Sequence, residues 1–102
     1  ENLVFLELKR RGKEIYYYKT SANREVDFII KEGKRNEILI QVSLSISDST
    51  VKEREIKALG EALEELNVNS GLILCDGEEG EIKLKDKAIK IMPVYKWLLA
   101  KR

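Results

Sequence analysis

The stretch 24-REVDFIIKEGKRNEILIQVSLSI-46 contains two runs of alternating apolar and polar residues, separated by Gly33, Lys34 and Arg35. A period of two sends successive side chains to opposite faces of a strand, so the pair reads as a β-hairpin with a three-residue loop. Directly opposed residues share a face. Pairing Val26 with Val42, Phe28 with Ile40 and Ile30 with Ile38 builds one continuous apolar face. The other face then sets Glu25 against Ser43, Asp27 against Gln41, Ile29 against Leu39 and Lys31 against Glu37. A slip of one residue would mix the two faces, which selects this register. Asp27 and Gln41 are therefore expected as neighbours. Their face is either the solvated side of a sheet or a polar site.

Working outward, "EIYYYKT" (14–20) reads as a strand of β-branched and aromatic residues, and "SAN" turns it into the hairpin. Tyr16, Tyr17 and Tyr18 should divide between the two sheet faces, some of them under the first helix. That helix is "ENLVFLELKRRG" (1–12), where Leu3, Val4, Phe5, Leu6 and Leu8 spread over a broad helical face. Lys9, Arg10 and Arg11 suit its C-terminal dipole, and Gly12 suits the position just past its end. Beyond the hairpin, Thr50 and Glu53 read as a capping box. Ile56, Leu59, Leu63 and Leu66, with Ala58 and Ala62, recur at helical spacing, and Asn67 closes the helix. "SGLILCDG" (70–77) is apolar enough to be a strand buried on both faces. "EGEIKLKDKAIKIMP" (79–93) reads as a hairpin with Ile82 and Leu84 facing Ile89 and Ile91, stopped by Pro93, and "VYKWLLAKR" (94–102) as a short closing helix. The expected order is α-β-β-β-α-β-β-β-α: a mixed sheet of the α/β class, flanked by helices, in one domain spanning 1–102.

Composition removes several chemistries. Nineteen Lys and Arg against eighteen Asp and Glu leave a net charge of +1, so there is no bulk attraction to nucleic acid. No histidine is present, which excludes Ser-His and Cys-His catalysis within the chain. The single Cys75, in an apolar run, reads as a small buried residue and forms no internal disulfide. No apolar run approaches the ~20 residues of a membrane span, and no signal-peptide pattern appears, so a cytoplasmic location without a membrane partner is expected. The first residue is Glu1 rather than Met, and the expectation is a domain excised from a longer chain.

The acidic constellation is the chemical candidate. A carboxylate at Asp27 beside an amide oxygen at Gln41 could contribute oxygen ligands to Mg²⁺ or Mn²⁺, which keep several of their waters. "CDGEEGE" (75–81) lacks phosphate-loop spacing and reads as a tight acidic turn, and "LKRRGK" (8–13) as a solvated helix end.

A helix opening on a glutamate, three antiparallel strands with Asp in the second and (D/E/Q)xK in the third, then a helix and a buried strand, resemble the PD-(D/E)xK nuclease core. That superfamily includes restriction endonucleases and archaeal Holliday junction resolvases. More closely, "ENLVFLELKRRGKEIYYYKT", "REVDFII" and "KEREIKALGEALEEL" resemble the C-terminal domain, of unknown function, of archaeal and bacterial AAA-type P-loop ATPases. The resemblance implies motif roles for Glu1, Asp27 and Gln41, with Ser43 where a catalytic lysine should stand. A serine hydroxyl supplies no positive charge to a developing anion. Lys31, Lys52 and Lys57 are the candidates for a migrated lysine. Three expectations follow. The leading one is a degenerate module contacting DNA or a partner protein beside an N-terminal ATPase domain. The others are a metal-dependent DNA nuclease, and an oligomerisation or regulatory module forming homo-oligomers.

Overall fold

The computed structural model describes residues 2–32, 35–43 and 46–100, with side chains for these except Asn2 and residues 31–37. Elements follow in the expected order: α1 (Asn2–Arg10), β1 (Glu14–Lys19), β2 (Glu25–Glu32), β3 (Arg35–Val42), α2 (Ser49–Leu66), β4 (Ser70–Cys75), β5 (Gly80–Leu84), β6 (Lys87–Pro93) and α3 (Val94–Leu99). The strands form one six-stranded sheet in the order β1-β2-β3-β4-β6-β5. β1, β2 and β3 run antiparallel, β3–β4 and β4–β6 are parallel, and β5 returns antiparallel beside β6.

Both faces of the sheet are covered. On one, α2 lays Leu59, Ala62 and Leu63 onto Ile29, Leu39, Ile73, Ile89 and Ile91. On the other, Val4 and Leu8 of α1 and Trp97 of α3 close over Phe28, Ile30, Ile40, Leu72 and Leu74. The wholly apolar β4 lies at the centre, as a strand buried on both faces must. Gly71 lets α2 approach: a Cβ there would stand 3.0 Å from Leu59 Cδ2 and 3.4 Å from Ile89 Cγ1.

The hairpin register holds in its middle and fails at both ends. Phe28–Ile40, Ile29–Leu39 and Ile30–Ile38 pair as expected. Past Ile30 the ladder shifts by one, so Lys31 lies opposite Asn36 rather than Glu37, and Arg35 already belongs to β3, opposite Glu32. The expected three-residue loop is therefore shorter. At the other end, β1 opposes Tyr16 to Ile29 but Tyr18 to Val26, which inserts an extra residue into β2 at Asp27–Phe28. That bulge turns Val26 onto the α2 face, away from the Phe28 face expected for it. Alternation cannot anticipate a bulge, because it counts residues and not hydrogen bonds.

Two local expectations change. Asp48, not Thr50, caps α2; its Oδ1 accepts from Thr50 N at 2.9 Å and Val51 N at 3.3 Å. The basic cluster at the end of α1 is only partly solvated. The Arg11 side chain is 3 % exposed, donates to Glu7 at 2.7 Å, and lies 4.5 Å from the Trp97 ring centre. It also donates to the Trp97 carbonyl at 3.1 Å, tying α1 to α3. Gly12, at φ 75°, ends α1, and Asn67, at φ 55°, ends α2, both as expected. The tyrosines divide as expected: Tyr17 lies against Phe28 beside Phe5 of α1, and Tyr18 donates to Glu65 of α2.

Candidate functional site

Where β2 bulges, the β2–β3 ladder stops at Phe28–Ile40, and side chains continue it. Gln41 Oε1 accepts from the Asp27 backbone N–H at 2.9 Å. In return, Asp27 Oδ2 accepts from the Val42 backbone N–H at 2.9 Å. Each side chain thus stands in for the backbone group that the bulge removes from the neighbouring strand. The two residues are neighbours, as expected, but through these side-chain bonds rather than as an opposed ladder pair, and not as two groups side by side on a wet face.

That face is not wet. Gln41 is 6 % exposed beneath α2, and its Nε2 donates to Glu55 Oε1 at 2.5 Å and toward the Glu25 carbonyl at 3.4 Å. Both amide protons and the amide oxygen are engaged, which is what burial of a carboxamide requires. Gln41 is therefore a junction joining β2, β3 and α2.

Glu55 is the residue that reading by motif misses. A signal existed: Glu55 precedes Ala58, Leu59 and Ala62 by three, four and seven positions, on the apolar stripe of α2. An acid on that stripe needs a polar partner from the sheet, and Gln41 is that partner.

An open groove of about 380 Å³ lies beside the junction, lined by Asn23, Arg24, Asp27, Gln41, Arg54 and Glu55 among others. Its cations are arginines. Arg24 is held by Glu61 at 2.5 Å, and Arg54 lies 3.9 Å from Glu55. Neither Lys52 nor Lys57 lines the groove; Lys52 pairs with Glu78 at 3.2 Å. Side chains of residues 31–37 are outside the described set, so Lys31 is not placed. Glu25 is exposed and 3.9 Å from Lys19 on the neighbouring strand. Ser43 follows β3 and donates its backbone N–H to Leu74 of β4 at 2.9 Å. Glu1 lies outside the described residues.

The donor set suits Mg²⁺ or Mn²⁺ poorly. The Gln41 oxygen already accepts from Asp27 and its amide nitrogen points into Glu55, while one Asp27 oxygen is bonded to Val42. Among the described residues, no three carboxylates or thiols cluster closely enough to hold a metal. The hydrogen-bond pattern is that of a polar plug.

Acidic side chains of α2 repeat the plug along the same end of the sheet. Glu61 accepts from Thr20 Oγ1 at 3.1 Å as well as from Arg24, and Glu65 accepts from Ser21 N, Ser21 Oγ and Tyr18 Oη. The Ser21 and Tyr18 donors lower the Glu65 pKa, and the same carboxylate raises that of Tyr18. Elsewhere, Cys75 is buried as expected, and burial raises its pKa. No helix is long and apolar enough to cross a membrane among the described residues.

Residues 1–97 match the family described as a domain of unknown function, DUF4143. The chain belongs to the DUF4143 family. This DUF4143 chain is also 44 % identical, over 108 aligned positions, to an uncharacterized protein of Methanocaldococcus jannaschii. The alignment takes in 97 % of this chain and 24 % of that relative, so the chain spans about a quarter of the relative's length. No solved structure gives a significant match.

Proposed function

We propose that this DUF4143 domain is a non-catalytic, nuclease-fold-like module that makes contacts for a larger P-loop ATPase, through a partner protein rather than through nuclease chemistry. One observation carries the reading: the side chain at the (D/E/Q) position, Gln41, spends its hydrogen bonds inside the protein, on Asp27 and Glu55. A group that must bind a metal or orient water cannot also be the buried tie between a strand and a helix. Ser43, where the resemblance wants a lysine, brings no charge to the site. Protein is favoured over DNA as the partner because the groove alternates paired arginines with carboxylates instead of presenting a basic surface. The relative's fourfold greater length accords with a module working inside a larger chain.

Incubation with branched and single-stranded DNA in Mg²⁺ or Mn²⁺ tests this. The expected outcome is no cleavage above a metal-free control. Cleavage that disappears in Asp27→Ala would overturn the proposal and restore the nuclease reading.

A further inference from the structure

β1 is the first strand of the sheet, so, among the described residues, one row of its backbone N–H and C=O groups faces away from the other strands. Tyr16 and Tyr17 on this edge are 47 % and 68 % exposed, while α2 packs on β2, β3, β4 and β6. Open edges are usually guarded by proline, by a bulge or by an inward-pointing charge. β1 has no proline, its charges Glu14 and Lys19 sit at its two ends, and the bulge opposite it belongs to β2.

We propose that this edge pairs antiparallel with the same edge of a second copy of the chain, about a two-fold axis through Tyr17, joining the two sheets. Geometry limits the registers. A two-fold axis perpendicular to a sheet keeps each face on its own side, so opposed residues must both lie on the α1 face or both on the α2 face. Ile15 and Tyr17 lie on the α1 face, and Tyr16 and Tyr18 on the other. The axis must therefore pass through a residue, not between two. Through Tyr17, Tyr16 faces Tyr18 of the partner subunit, Tyr17 faces the partner's Tyr17, and Tyr18 faces the partner's Tyr16. Ile15 then faces Lys19 of the partner subunit and Glu14 faces the partner's Thr20, so no like charges are opposed. Moving the axis to Tyr16 pairs Ile15 with Tyr17 of the partner subunit and Glu14 with the partner's Tyr18, which leaves one aromatic pair in place of three. Moving it to Tyr18 leaves one aromatic pair in place of three. The tyrosine run is thus self-complementary in a single register.

Six residues of edge fall short of the ~1,200–2,000 Å² buried by stable interfaces, so the dimer is a weak one, with a dissociation constant of roughly tens to hundreds of micromolar. This inference concerns a surface away from the Asp27–Gln41 junction, and stands or falls independently of the function proposed for that junction.

Sedimentation equilibrium of the 102-residue chain from about 5 to 500 micromolar, a range bracketing that weak affinity, tests it. The weight-average mass should rise from monomer toward dimer and fit a monomer–dimer equilibrium with no larger species. Tyr17→Lys, which places like charges on the axis, should keep the circular-dichroism spectrum and a cooperative melt, lowered only by the lost Tyr17–Phe28 ring contact, while abolishing the rise. Because Cys75 is buried, Tyr17→Cys introduces the exposed thiol. Opposed strand residues lie within disulfide reach, so mild oxidation should cross-link Tyr17→Cys at least ~10-fold faster than Leu99→Cys, placed on α3. A monomer throughout, a dimer undisturbed by Tyr17→Lys, growth beyond dimers, or equal cross-linking at both thiols each refutes the proposal.

Discussion

Gln41 explains why its position carries an amide in this chain. Its two ends serve opposite needs: an acceptor for the Asp27 N–H, and a donor for Glu55. Replacing it with Leu keeps the volume but takes the amide donor from the half-buried Glu55 carboxylate and the amide acceptor from the Asp27 N–H. The expected loss is about 2–4 kcal/mol in urea unfolding, since one of the stranded groups is charged. Gln41→Glu is a sharper probe, because it sets a second carboxylate against Glu55. That variant should be destabilised at neutral pH and recover as the pH is lowered. A buried acid beside an acid has a raised folded pKa, so its stability is present below that value and lost above it. If the variant matches wild type at pH 8 in metal-free buffer, the Gln41–Glu55 tie is not what seats α2. Glu55 was legible as an acid out of place on an apolar stripe. The identity of its partner was not, because partners 14 residues apart in the chain meet only when β3 and α2 are packed.

At the scale of elements, α1 and α3 are held by a charge cluster. Arg10 and Arg11 both donate to Glu7, which lowers the Glu7 pKa from 4.5 to about 2. The folded value lies below the unfolded one, so the stabilisation is complete above about pH 4.5 and is lost as the pH falls toward 2. Thermal melts between pH 2 and 6 should show a shallower acid limb for Glu7→Gln than for wild type; parallel limbs would show that the cluster contributes nothing on folding. The basic run 9–11 looked like a solvated helix end because cations suit that position whether or not they are buried. Only the arrival of Trp97 from the far end of the chain, 4.5 Å from Arg11, turns one of them inward.

At the scale of the molecule, stability rests on α2 crossing the centre of the sheet at Gly71. Leu59→Ala, at a fully buried position, should cost about 2–5 kcal/mol. Gly71→Ala forces a methyl to within 3.0 Å of Leu59 Cδ2. The two changes should be less than additive together, because removing the Leu59 side chain vacates the space that the added methyl needs. Full additivity in denaturant melts would mean that α2 approaches the sheet differently. Element order, the alternation of β2 and β3, the buried β4 and the stripe of α2 all follow from local periodicity, which the chain carries residue by residue. Glu55 beneath Gln41, the bulge that carries Val26 across the sheet, the inward Arg11 and the open, self-complementary edge of β1 do not. They depend on which groups meet when the sheet closes, and a hydrogen bond between distant residues has no period to betray it. The sequence determined the layers and the neighbourhood of Asp27 and Gln41, while the tertiary structure decided that this neighbourhood is a tie within the fold, because α2 brings down an acid to which the Gln41 amide donates.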